Sequence, residues 1–105
     1  MGAGPASGYP APMLRRALFW LDRCVRPAAF SVAFGPGRVR PARGRVPAGF
    51  LHDCAAIAAE FGIARGRVDA LHTWRGPALR FSPDVPASSH QRFRNVFALL
   101  PRGWR

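Results

Sequence analysis

The chain contains no lysine and only five carboxylates among its 105 residues. All sixteen positions counted as Lys or Arg are arginine, so guanidinium groups alone carry the formal charge of +11. These groups stay protonated at any cellular pH and grip phosphate or carboxylate with a planar fork. GC-rich codon usage accounts for Arg standing in place of Lys, but accounts less well for sixteen bases against five acids. Two cysteines, Cys24 and Cys54, are too few for a disulfide framework. Cys and His are also too sparse for a four-ligand structural zinc. No apolar run approaches the ~20 residues that cross a bilayer. The stretch Ala17–Leu21 is shorter than a secretory h-region and runs straight into Asp22-Arg23. These absences argue against a disulfide-stapled secreted scaffold, a zinc-nucleated mini-domain and a membrane-spanning protein. The expected location is cytoplasmic.

Reactive groupings are equally scarce. His52 and Cys54 lie two apart on an expected helix and so point away from each other, which leaves no local Cys–His dyad. Gly35-x-Gly37 lacks the following helix and the third glycine of a dinucleotide loop. Ser82, Asp84 and His90 form a trio by chance spacing only. The expectation is a non-enzymatic protein with no metal, no cofactor and no small-molecule substrate.

Eight phenylalanines and three tryptophans indicate a compact fold, and the length suits one domain. Residues 1–12, rich in Gly, Pro, Ala and Ser, read as a disordered tail. Residues 13–26 read as a basic amphipathic helix. Leu14, Ala17, Leu18, Leu21, Cys24 and Val25 fall on one face, and Arg15, Arg16, Asp22, Arg23 and Arg26 on the other. Phe19 lands in the middle of the charged face, with Trp20 at its border.

A compact domain is expected over residues 28–100. Phe30, Val32 and Phe34 alternate with Ser31 and Ala33 as in a strand. Gly35-Pro36-Gly37 turns the chain, and Arg38–Val46 returns as a second strand. Pro41 removes a ladder donor from that strand, which makes it an edge strand or one broken by a bulge. Phe50, Cys54, Ile57 and Phe61 mark the buried stripe of a helix that Gly62 closes with a left-handed cap. Arg67–Trp74 is a third strand, with Val68, Ala70 and His72 on one face, and Ala78–Ser82 a fourth. A last helix runs from about Pro86 to Leu100, with Phe93, Val96, Phe97 and Leu100 inward. Residues 101–105 form a short tail.

The fold class is α+β. An N-terminal helix precedes β-β-α-β-β-α, arranged as a two-layer sandwich with both later helices on one face of a four-stranded antiparallel-rich sheet. The other face is expected to be open and to present Arg38, Arg40, Arg67, Asp69, Thr73 and Arg80.

The segments GRVPAGFLHDC, GRV, LRFS and QRFRNVF resemble a small bacterial family catalogued only as a domain of unknown function. The resemblance covers roughly residues 28–100 and is most specific over Gly44–Phe50 and Gln91–Phe97. It implies this fold, together with a short hydrophobic N-terminal membrane anchor, and no chemistry. Residues 13–26 depart from such an anchor, because Arg15, Arg16, Asp22 and Arg23 stand where it would be apolar.

Two surfaces are candidates for a partner. RVRPARGR places Arg38, Arg40, Arg43 and Arg45 within eight residues, and QRFRNVF adds Arg92, Arg94 and Asn95. Together they would track a sugar-phosphate backbone. Like charges on an edge strand also serve to prevent edge-to-edge aggregation. The rival surface is the first helix. Arg15, Arg16, Phe19, Trp20 and Arg23 would meet anionic lipid, making the protein a peripheral adaptor at the inner membrane face or a docking domain for another protein. The same helix can instead dock on the domain's own core. With its phenylalanines needed inside and only Trp74 and Trp104 expected as exposed rings, the chain lacks stacking platforms for sequence-specific single strands.

Overall fold

A computed structural model of the chain describes residues 11–101, with side chains described from Leu14 onward. The expected tail over residues 1–12 therefore lies, apart from its last two positions, outside the described residues. So do residues 102–105, including Trp104. The elements are α1 (Ala11–Val25), β1 (Phe30–Gly35), β2 (Arg38–Arg43), α2 (Ala48–Phe61), β3 (Gly66–Thr73), β4 (Gly76–Phe81), a 3-10 turn (Ala87–Ser89) and α3 (His90–Ala98). The architecture is α+β, with one antiparallel sheet in the order β2-β1-β3-β4. The two hairpins lie side by side, and exchanging them leaves the strand order unchanged.

Strand alternation decides the core. Phe30, Val32 and Phe34 of β1 register with Ala70, Val68 and Gly66 of β3, and Val68 and Ala70 in turn with Phe81 and Leu79 of β4. All of these share one sheet face, and α2 and α3 both pack on it through Phe50, Cys54, Ile57, Phe93 and Phe97. Edge-to-face aromatic pairs tie the layers: Phe50 with Phe30 and Phe97, and Phe93 with Phe34. Each such ring burial contributes ~1.5–3 kcal/mol. Helix α2 stops at Gly62, whose φ of +66° only glycine adopts at little cost, and whose N–H caps the Ala58 carbonyl.

Four details differ from the sequence-based expectation. Strand β2 ends at Arg43 instead of Val46, because Gly44 turns into the left-handed region (φ +67°) and passes so close to the Ala29 carbonyl that a Cβ there would strike it. The last helix opens with the 3-10 turn, in which the Ser89 hydroxyl donates to the Pro86 carbonyl at 2.7 Å. Strand β4 begins at Gly76 instead of Ala78, because Gly76 and Pro77 still pair with Thr73 and His72 at the turn end of the hairpin. The largest difference is the second sheet face. It is not open: α1 lies on it, so Asp69 and Arg80 are buried, and the molecule has three layers there instead of two.

Burial in α2 pushes the Cys54 thiol up to about 12, with Asp53 adding to the effect, while Cys24 on α1 is exposed. The native protein is therefore expected to react with a thiol reagent at Cys24 alone, and at both cysteines in denaturant. Rapid native labelling of Cys54, followed by mass spectrometry of the peptides, would contradict this packing.

Candidate functional site

Helix α1 docks in the opposite sense to an ordinary amphipathic helix. Its inner face carries Arg16, Phe19, Asp22 and Arg23, while Leu14, Leu18, Leu21 and Val25 point to solvent, 53–73% exposed. The sheet face below explains this, because it is polar at its centre. Ser31, Asp69 and Arg80 register side by side across β1, β3 and β4, and a polar surface needs a polar complement.

Asp69 is fully buried and is the hub. Its Oδ2 accepts from Arg23 Nε and Arg80 Nε, both at 2.9 Å, and its Oδ1 accepts from the Ser31 hydroxyl. Arg80 Nη2 lies 2.8 Å from the same Oδ2 but off the hydrogen-bond direction, so it is an ionic contact. Arg80 Nη1 donates to the Asp22 carboxylate and the Arg26 carbonyl, each at 2.7 Å. Burial alone would raise the Asp22 carboxyl, but the guanidiniums of Arg80 and Arg26 outweigh it and hold the group below its ordinary 3.8. Phe19 packs into the same layer, with Arg23 and Arg80 each within 6 Å of its ring centre (5.9 and 5.8 Å). At the helix start, Arg16 pairs with Asp84 at 2.7 Å.

This placement bears directly on the rival surface. Phe19 is buried and Arg23 is paired inward on Asp69, so these two face the sheet, whereas Arg16 pairs with Asp84 with about half of its side chain exposed (47%). The charged face of α1 belongs to the fold. Arg15 is exposed, and Trp20 is half exposed at the helix margin, its ring flanked by the guanidiniums of Arg23 and Arg67 at 5.0 and 5.6 Å.

The arginines of β2 behave differently. Arg40 registers with Ala33 and Arg38 with Gly35, which puts both on the α1 side of the sheet. A register shift between Ser31 and Val32 leaves Ala42 unmatched and brings Arg43 opposite Ser31, on that same side. Without this bulge, Arg43 would share the face of Pro41 and point toward the core. Arg38, Arg40 and Arg43, and Arg45 just beyond the strand past the Gly44 turn, are all exposed, and none makes an ion pair among the described residues. Four of the five carboxylates, Asp22, Asp69, Asp84 and Glu60, are taken by other arginines.

The α3 residues are not brought to this row. Helix α3 lies on the opposite side of the sheet, with the core between. Arg92 pairs with Glu60 at 2.7 Å, Arg94 lies over the Phe81 ring at 5.5 Å, and Asn95 accepts from the Gln91 amide at 2.9 Å. The Phe81 ring also stacks with the His90 imidazole, centre to centre at 3.8 Å. Burial lowers the His90 imidazole below its ordinary 6.5, opposed by the Val85 carbonyl it faces and assisted by Arg94. The sequence places Arg67 only within the expected open face. Its registry with Ala33, opposite Arg40, places it beside the β2 row, and the signal for that lies in strand pairing that hairpin spacing does not reveal.

Among the described residues no helix is long and apolar enough to cross a membrane. A family model described as "Protein of unknown function (DUF3634)" matches residues 17–103. No curated protein and no solved structure matches the chain.

Truncating Asp69 would leave two buried guanidiniums facing each other. Asp69→Ala is expected to lower stability by about 3–5 kcal/mol, read from urea unfolding. A loss below about 1 kcal/mol would mean that the hub does not hold α1 to the sheet.

Proposed function

The chain belongs to the DUF3634 family, whose description names no activity, and from its own chemistry we propose a non-enzymatic module that holds the sugar-phosphate backbone of nucleic acid on the arginine row of β2. The observation that carries this reading is the division of the arginines. Arg16, Arg23, Arg26, Arg80 and Arg92 are paired with carboxylates, whereas the β2 row is left exposed and unpaired on an edge strand. A strand rise of ~3.3 Å per residue separates Arg38 from Arg40 by roughly 6.6 Å, commensurate with neighbouring phosphates on an extended strand. Guanidinium forks on phosphate oxygens give affinity without base selection. The aromatic rings support backbone contact over base stacking: the core holds Phe30, Phe34, Phe50, Phe93 and Phe97.

The outward stripe of α1 favours a second reading, docking on an anionic membrane surface from the cytoplasmic side. Leu14, Leu18, Leu21 and Val25 form an apolar ridge on the same side of the sheet as the β2 arginines. Apolar residues entering the headgroup boundary, with arginines beside them contributing about 1 kcal/mol each, suit such a surface.

Gel retardation on duplex DNA across a salt series tests the leading reading. Five contacts, from Arg38, Arg40, Arg43, Arg45 and Arg67, give log K against log salt a slope of about −4.5, which the variant Arg38→Ala/Arg43→Ala/Arg45→Ala reduces to about −2. Binding that is insensitive to salt, or missing at about 50 mM salt, would remove the proposal.

Vesicle flotation tests the other. Leu18→Ser/Leu21→Ser is expected to abolish co-flotation with anionic vesicles while sparing DNA retardation. If the unsubstituted protein stays off the vesicles, the membrane reading falls.

A further inference from the structure

Arg40 and Arg67 flank Ala33 in the same cross-strand row, one from each neighbouring strand. With strands ~4.8 Å apart, their Cα atoms stand roughly 10 Å apart, and the small alanine between them leaves a trough. Helix α1 roofs it with Phe19 and Trp20, making a cleft of about 240 Å³. Arg67 is held in place by its own backbone: its N–H donates to the Ser82 hydroxyl at 2.8 Å, and its carbonyl accepts from the Ser82 N–H at 3.0 Å. Its guanidinium rests on the Trp20 ring. At the far end stands the Arg16–Asp84 ion pair, which is neutral as a unit.

Charge and size select the ligand. The lining contributes three guanidiniums and one carboxylate, a surplus of two positive charges on Arg40 and Arg67. A phosphate monoester carries about −1.5 to −2 at neutral pH and has three free oxygens for forked donors. A diester carries a single charge and only two free oxygens. At about 30 Å³ per water, the cleft holds the volume of roughly eight waters. That admits a phosphoryl group with part of the sugar or stem that bears it, and is smaller than a drug-sized pocket.

The geometry points to this cleft as a phosphate-monoester site, formed by Arg40 and Arg67 across Ala33 beneath Trp20. It deepens the polyanion reading by giving the arginine surface one position that selects a phosphorylated end over the continuous backbone.

Calorimetric titration of the full chain with methyl phosphate and with dimethyl phosphate tests it. The monoester is expected to bind with one-to-one stoichiometry and at least about tenfold more tightly than the diester. Arg40→Ala and Arg67→Ala should each weaken it about tenfold, with Arg75→Ala, at the exposed hairpin tip, as the unaffected control. Arg40 is exposed, so its variant keeps the test valid if Arg67→Ala loosens α1, and circular dichroism reports that loosening. A 5′-phosphorylated oligonucleotide retained better than its 5′-hydroxyl counterpart assigns the phosphate to a nucleic-acid end. Equal retention, with methyl phosphate still bound, assigns it to a soluble phosphorylated compound. Absence of methyl phosphate binding, or binding indifferent to Arg40 and Arg67, overturns the site even where DNA retardation persists. Monoester binding without DNA retardation would instead sink the backbone reading and leave the cleft standing.

Discussion

A single buried carboxylate organises one whole side of this protein. Asp69 sits at the centre of the sheet with Arg23 above it, Arg80 beside it and the Ser31 hydroxyl closing its remaining oxygen. A carboxylate buried there without partners would be costly, and two guanidiniums without it would repel each other. The arrangement is therefore mutually required. It forces α1 to lay its charged side on the sheet, because no apolar residue of the helix could satisfy what lies beneath.

That inversion has a consequence for the surface. A helix that spends its polar side on the fold has its apolar side left over. Leu14, Leu18, Leu21 and Val25 are exposed for this reason, not because the helix lacks a docking site. Phe19 is the exception that makes the docking work. It lies among the charges in sequence, yet it fills the space between the guanidinium stems, where arginines readily accept an aromatic face.

The same interactions divide the arginines into paired and unpaired ones. The paired ones are consumed in holding α1, Asp22, Asp84 and Glu60. Among the unpaired arginines, the set on β2 is aligned by a bulge and makes no ion pair among the described residues. A chain with more carboxylates would have quenched this second set, and a chain without the bulge would have turned Arg43 into the core. The scarcity of acids and one unmatched residue, Ala42, together create the basic edge.

Much of the fold was legible in the residue order. Period-two alternation marked Phe30, Val32 and Phe34, the Pro41 donor gap marked β2 as an edge, and the Phe50–Cys54–Ile57 stripe with Gly62 marked α2 and its end, because each signal is local and set by backbone geometry. The β2 arginines were equally visible as a cluster. What only the tertiary structure decided depends on partners far apart in the chain. The pairing of β1 with β3 joins Ala33 to Arg67 and Ser31 to Asp69, and no turn signal encodes it. The direction in which α1 faces was hidden for the same reason. Its pattern states that it has two unlike sides, but which side turns inward is set by the polarity of a surface assembled from three separate strands.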